Sequence, residues 1–407
     1  MKKTTLILSI VLVLTLCFAA TGGASSLFDL FNQKEEDTVT ISKQEYDSLK
    51  KYEKLEEIYQ YITQMYYQEP DEKKMMEYAI QGMLSSLDDP YTFYYNPDDW
   101  AAMQEDDEGT YVGIGCQLLG NYQENTVTIT RVFRNTPAEK AGILRGDVLV
   151  RVDDIMVDAT TMQEAVNVMR GALGESVEVE VSRGGENIVF TIIRAENHIN
   201  REEHMMLENN VGYIVLYEFQ GDCAEMVAKA VEELVGAGAT SLILDLRDNG
   251  GGWVTSAVSI ADIFLDKQLL VYAVDRYGYR DESWTTAGKV DLPLIVLVNE
   301  YSASSSEILA GGLQNAGRAT VMGTQSYGKG IIQYVIPLEG EPADGFQFTV
   351  AQYYLPDGTV VHKVGITPDI VVEIPEDVDI AYLQTGDMTD PQLKAAWEEA
   401  VRQAESK

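Results

Sequence analysis

Two side chains in this sequence have types that would work as a pair: a serine at 304 and a lysine at 329. A serine hydroxyl attacks a carbonyl carbon only when a base takes its proton, and a lysine is a base only when neutral. Lowering a lysine from about 10.4 to about 7.5 costs about 4 kcal/mol, which desolvation can supply. The surrounding pattern suits such a pair. The apolar run Leu294 to Val298 reads as a buried strand, and a helical pattern follows from about Ser305 to Gln314. Ser304 therefore falls at a strand-to-helix turn, where free N–H groups of the helix start can stabilise an oxyanion. Lys329 stands between Gly328 and Gly330, after a strand Ala319 to Met322 and before another from Ile331 to Ile336. The plainer reading of the turn is that Ser304-x-x-Glu307 is a capping box that starts the helix.

Other chemistries fit less well. Gly323-x-x-x-x-Gly328-Lys329 matches most of a phosphate-binding P-loop, but Gly330 stands where a Ser or Thr should reach magnesium, and an apolar β-rich segment follows where a helix should begin. A Ser-His-Asp hydrolase would have to draw on His198, His204 or His362, and there is no Gly-x-Ser-x-Gly elbow. Three histidines without a His-x-x-x-His pair or a cysteine cluster argue against a metal site.

The segments SASSSEILAGGLQNAG and GTQSYGKGIIQ resemble the active-site signature of the carboxyl-terminal processing, or tail-specific, proteases, which are PDZ-containing Ser/Lys serine peptidases. The resemblance implies Ser304 as nucleophile, Lys329 as base and Gln333 as the residue that orients the lysine. The twenty-five-residue separation of serine and lysine is the one expected from that family, and it selects Ser304 from among Ser302, Ser304, Ser305 and Ser306. Ser305 replaces the family's usual alanine, in a role that needs only a backbone N–H. The glycine-rich turn Asp245-Leu-Arg-Asp-Asn-Gly-Gly-Gly252 is implied to supply an oxyanion-hole amide, assigned to Gly251 with Gly250 as the neighbouring choice.

The resemblance extends along the chain. Met1-Lys2-Lys3 and the apolar run Leu6 to Ala20 read as a secretory leader or short membrane anchor, within residues 1–26. A linker and N-terminal helical region occupies 27–108: Leu55, Ile58, Tyr59, Ile62 and Met65 recur at helical spacing, a second helix runs from Glu72 to Ser86, and SLDDPYTFYYN follows. Residues 109–195 resemble a PDZ domain, with Gly113, Ile114, Gly115 and Cys116 in the place of the carboxylate-binding loop. Glycines there let successive N–H groups converge on an anion beside a strand edge that accepts an extended peptide. Arg170, at the end of the second PDZ helix, is a candidate contact to the catalytic core. Residues 196–376 alternate strand and helix as a βαβ-type core, and 377–407 reads as an acidic tail with a short amphipathic helix. The fold class expected is α/β (α+β) and multidomain: N-terminal helices, an inserted PDZ domain, and a layered α/β protease core with closing β-strands.

Composition sets the outer limits. At 407 residues and 45% hydrophobic the chain is long enough for two or three cored domains. Thirty basic against 65 acidic side chains give a formal charge of −35, which repels nucleic acid and anionic membrane surfaces alike. Cys116 and Cys223 are expected as free thiols. The expected function is that of an extracytoplasmic serine endopeptidase, secreted or membrane-anchored through its N-terminal segment. It needs no cofactor and captures protein substrates by apolar C-terminal tails. The N-terminal helices are a candidate homodimer contact. The alternative is an inactive PDZ-bearing scaffold that keeps the protease fold.

Overall fold

The structure is a computed structural model that describes residues 40–121, 124–286, 288, 290–340, 342–375, 378 and 383–406. The expected leader and nearly all of the linker after it lie outside the described residues. The chain divides into two compact units, residues 1–76 and 77–407.

In the first unit, Ser42 caps helix Lys43–Leu49 through a complete capping box with Glu45. Helix Glu53–Met65 carries the expected apolar stripe, and Leu55, Ile58 and Met65 on it are exposed.

The second unit holds three sheets of consequence. Helix Pro97–Glu108, capped by the Asn96 side chain, ends at Gly109 in the left-handed conformation. Strand Thr110–Gly113 then pairs antiparallel with Ala195–His198, Thr110 opposite His198 and Gly113 opposite Ala195. Entry to and exit from the intervening segment are therefore adjacent, so it forms a domain inserted by its two ends. Its sheet runs in the order Cys116–Asn121, Thr126–Val132, Val148–Val152, Ser176–Arg183, Glu186–Ile193, with Ile155–Met156 beside the third strand. Strict alternation in Thr126–Val132 puts Val127 and Ile129 into a core shared with Leu149, Val179 and Ala165 of helix Met162–Met169.

The central sheet has the order Glu202–Leu207, Val211–Leu216, Ser241–Asp245, Leu294–Val298, Thr320–Gly323, Ile370–Val371; only the first pairing is antiparallel. Val211–Leu216, Ser241–Asp245 and Leu294–Val298 are buried at every position, as strands covered on both faces must be. Leu294, Val296 and Val298 face helices Cys223–Gly236, Val254–Phe264 and Ser305–Asn315; Ile295 and Leu297 face the other way, onto Leu393, Ala396 and Ala400. Those last residues belong to helix Pro391–Glu405. The expectation of an acidic tail is thus corrected: the terminal helix is the second covering layer of the core. Asp390 caps it, and Arg247 binds Asp390 at 2.8 Å while also holding Asp245. A third sheet is built around Asp344–Tyr354, which pairs with Ile331–Leu338, Leu269–Asp275 and the short strand Phe93–Tyr95.

Candidate active site

Strand Leu294–Val298 delivers the chain to a turn at Asn299, and helix Ser305–Asn315 leaves from it. Between them Ser304 adopts φ 57°, ψ −115°, a sparsely populated conformation for a residue with a Cβ. Such strain, about 1–3 kcal/mol, persists only where the surroundings over-determine it. Here they do. Ala303 N–H bonds Asn249 O at 3.0 Å, and Tyr327 N–H bonds Ser302 O at 3.0 Å. Gly251, at φ 101°, lies so close that a Cβ on it would come within 2.7 Å of Ala303 O and 2.8 Å of Ser304 Cβ. That close approach is why the glycine-rich turn is needed beside the serine.

The four neighbouring serines are not equivalent. Ser302 Oγ donates to Leu246 O at 2.7 Å, Ser305 Oγ to Gly252 O at 2.8 Å, and Ser306 Oγ to Asn249 O at 2.8 Å. All three are fully buried and hold the turn to the glycine-rich loop. Ser304 is half-buried, and its hydroxyl makes no cap hydrogen bond to the helix. Half of a capping box is made, Ser304 N–H donating to Glu307 Oε2 at 2.9 Å, while the Glu307 N–H goes to the Ser304 carbonyl at 2.8 Å, so the helix start does not depend on Oγ.

Glu307 is the centre of the site's scaffold, and sequence reading gave it only a capping role. Its carboxylate, fully buried, accepts four hydrogen bonds: from Ser326 Oγ (2.6 Å) and Gly328 N–H (2.7 Å) on Oε1, and from Ser304 N–H (2.9 Å) and Lys329 N–H (2.8 Å) on Oε2. A buried charge needs this degree of satisfaction. The fully buried Tyr353 adds a second clamp, its hydroxyl 2.8 Å from Lys329 O and 3.2 Å from Ser304 O. The structure therefore brings Ser304 and Lys329 to one place across twenty-five residues of chain.

Burial holds the Lys329 amine below the ordinary lysine value, with Asp89 and Glu307 acting in the opposite direction. Its Nζ lies 4.4 Å from the centre of the Tyr91 ring. Gln333 sits opposite Thr349 in the register of the third sheet, and its Nε2 donates to Thr349 Oγ1 at 3.2 Å. The oxyanion candidates differ in what they offer. Gly251 N–H is engaged by Asn249 Oδ1 at 2.9 Å, so the amide named first is the less available. Gly250 is the neighbouring choice, and Ser305 N–H, the first of its helix, has no intrahelical partner. After Lys329 comes strand Ile331–Leu338 and not a helix, which removes the P-loop reading.

In the inserted domain, Gly113 ends one strand and Cys116 opens the next. Ile114 is buried between them, and Gly115 takes φ 94° against Thr136. Among the described residues, strand Cys116–Asn121 pairs on one side only and is an edge of its sheet. Arg170 binds Glu105 at 2.6 Å; the arginine that reaches the glycine-rich loop of the core is Arg145, 3.7 Å from Asp248. Cys116 and Cys223 are unpaired, and burial raises both thiols, Cys116 to about 12.

Known proteins resemble this chain. Residues 210–372 match Peptidase family S41, residues 128–183 match a PDZ domain, and residues 16–99 match the activating protease CtpB N-terminal domain. The carboxy-terminal processing protease CtpA of Bacillus subtilis (strain 168) is 32% identical over 336 residues, covering 82% of this chain and 71% of that protein. The carboxyl-terminal-processing protease of Synechocystis sp. (strain ATCC 27184 / PCC 6803 / Kazusa) is 35% identical over 326 residues, covering 78% and 75%. Among solved structures, the photosystem II D1 C-terminal processing protease superposes with a TM-score of 0.55 at 28% identity, covering 84% of this chain and 92% of that one. The fold and site define a serine-type protease with an inserted PDZ domain. The chain belongs to Peptidase family S41, among the carboxy-terminal processing proteases.

Proposed function

We propose that the chain is an exported endopeptidase in which Ser304 attacks the scissile carbonyl while Lys329 takes its proton, and that the PDZ domain delivers substrates by their C-terminal tails. The observation that carries this is the double tether of Ser304 and Lys329, through Glu307 Oε2 and through the Tyr353 hydroxyl. Ser304 is the serine of its cluster whose hydroxyl is not engaged in holding the turn. Burial lowers the pKa of the half-buried lysine, the direction a general base needs. Attack forms the Ser304 Oγ–carbon bond; the proton passes to Lys329 and then to the leaving amine, and water hydrolyses the acyl-enzyme. Ser305 N–H and a glycine-loop amide, Gly250 or Gly251, stabilise the oxyanion. Gln333 is assigned to orient the lysine.

Capture of a tail uses the open edge of Cys116–Asn121 for strand pairing and the amides of the Gly113–Cys116 loop for the terminal carboxylate. Apolar tails suit the PDZ groove. The leader Leu6 to Ala20 supports export, and the exposed stripe of Glu53–Met65 supports a homodimer contact. The test is to incubate the purified exported part with an unstructured protein ending in apolar residues, beside Ser304→Ala and Lys329→Arg. Cleavage by the wild type alone is expected; cleavage by either variant at the wild-type rate overturns the dyad.

A further inference from the structure

The turn between the N-terminal helices and strand Phe93–Tyr95 lies more than two hundred residues from the dyad in sequence, yet it stands against Lys329. Strand Phe93–Tyr95 pairs with Gly345 to Gln347 of the long strand Asp344–Tyr354, which fixes the preceding residues Asp89 to Thr92 at the edge of the site. Thr349 N–H donates to Thr92 Oγ1 at 3.2 Å, and Gln347 Nε2 to Tyr91 O at 3.0 Å. Asp89 is held within this turn by the Tyr91 N–H at 3.0 Å and the Thr92 hydroxyl at 2.7 Å. Thr349, whose hydroxyl receives the Gln333 amide, also helps to hold the Asp89 carboxylate ionised.

We propose that this turn is a wall of the active site, in which Asp89 is the positioning residue for the Lys329 amine and the Tyr91 ring is its seat. Gln333 would then act on the lysine through Thr349 and Asp89, because its amide is already bound to Thr349. The proposal rests on Lys329 being the base and names what orients it.

The geometry carries the roles. The Tyr91 ring face, 4.4 Å from Nζ, attracts an ammonium and also covers it from water. The carboxylates whose charge acts on the amine are Asp89 and Glu307; Glu307 accepts four hydrogen bonds, whereas Asp89 accepts two from its own turn, which leaves Asp89 the one with acceptor capacity to respond to the lysine. The Tyr91 phenol does not compete as a base. Tyr91 donates to the Tyr327 hydroxyl at 3.5 Å, and this bond, burial and nearby negative charge push Tyr91 up to about 12. Burial acts to raise Asp89, but the hydrogen bonds from Thr349, Thr92 and the Tyr91 N–H, with the Lys329 charge, hold it below the ordinary aspartate value. It is thus a carboxylate whenever the enzyme works.

The test measures the lysine itself as well as turnover. In the full chain, competitive acetylation of Lys329 with acetic anhydride is followed from pH 6 to 11 by mass spectrometry. It is set beside kcat/KM over the same range, for wild type, Asp89→Asn and Tyr91→Leu. Both changes remove a group that favours the ammonium, so each labelling midpoint should fall by about half to one pH unit. The rising limb of kcat/KM should follow it, and Asp89→Glu should bring both back toward wild type. Plateau kcat should fall about tenfold in Asp89→Asn, as a loosely held base requires. Unmoved labelling midpoints in Asp89→Asn and Tyr91→Leu overturn the proposal, whatever happens to the rate. Midpoints that fall while the kcat/KM limb stays in place support the positioning role and reject Lys329 as the base. The two substitutions lie on different side chains, so the other decides if one does not fold.

Discussion

The backbone N–H groups of Ser304 and Lys329 converge on one oxygen, Glu307 Oε2, at 2.9 and 2.8 Å. Their carbonyls converge on one hydroxyl, that of Tyr353. Two loops, one after strand Leu294–Val298 and one after its parallel neighbour Thr320–Gly323, are joined in this way at the main chain, so the spacing of the reacting side chains does not depend on a contact between them. Preorganisation of this kind keeps a strained turn such as Ser304 in place through the reaction.

Glu307→Gln should therefore damage both stability and rate. The substitution replaces one acceptor oxygen by an NH2 group facing N–H donors, and each buried donor left unpaired costs about 1–3 kcal/mol. A fall in Tm with at least a hundredfold loss of kcat is expected. Glu307→Gln with wild-type kcat would show that the carboxylate is only a helix cap.

The serines should separate by kind. Ser304→Ala should abolish cleavage with Tm nearly unchanged, since its hydroxyl makes no cap bond. Ser302→Ala and Ser306→Ala should retain substantial turnover but melt lower, because each removes a buried hydrogen bond that holds the turn, about 0.5–1.5 kcal/mol. Thermal melts and rates on one protein substrate check both halves; a dead but fully stable Ser306→Ala would place the nucleophile there.

Lys329 gives a pH prediction with a definite sign. Burial lowers its amine below the ordinary 10.5 in the folded chain, so between that lowered value and 10.5 the unfolded chain holds a proton the folded chain has released. Stability from this group therefore rises with pH across that window, and below it the folded protein carries the full cost of a buried ammonium. Lys329→Met, which cannot titrate, should melt higher than wild type at neutral pH, and the gap should narrow toward pH 10.5. A gap that stays constant from pH 6 to 10 would show that the lysine is not desolvated. Lys329→Arg should be inactive, because guanidinium stays protonated.

How much of this was legible in the sequence follows from where the signals are local. Leu294 to Val298, the glycine-rich turn and the Ser305 helix could be read because period, caps and glycines report on their own neighbourhood. The scaffold of the site could not. Glu307 looks like a capping residue, and nothing in Ser326 or Gly328 says that they meet it, nor in Tyr353 that it ties Lys329 to Ser304. The terminal segment shows its short amphipathic helix but not that helix's covering role, because its charges are on view while Gln392, Leu393, Ala396 and Ala400 make its buried face. Three apolar positions at helical spacing are a weak signal until a bare sheet face is seen to need them. Truncation after residue 377 should accordingly expose Ile243, Ile295 and Leu297 and leave Arg247 without Asp390. Loss of cooperative unfolding is expected, where a dispensable tail would leave the melt unchanged.

The inserted domain yields the last prediction, because its two ends are paired strands. Gly113 lies opposite Ala195, so residues 114–194 can be replaced by a short turn while the pairing Thr110–Gly113 with Ala195–His198 is kept. Buried residues of this domain form a cluster separate from those of the core, so the core should fold without it. If the Gly113–Cys116 loop holds a terminal carboxylate and the free edge of Cys116–Asn121 pairs with the residues before it, amidating the substrate's C-terminus should weaken capture. The loss should fall mainly on KM, since the tail is held away from the reacting bond. A charge-assisted hydrogen-bonded contact of about 1.5–3 kcal/mol corresponds to roughly ten- to a hundredfold in kcat/KM. The deletion variant should cut acid and amide substrates at equal, lower rates. Equal kcat/KM for the two substrates in the full chain would remove tail recognition from this loop, whereas discrimination that survives the deletion would move it to the protease core.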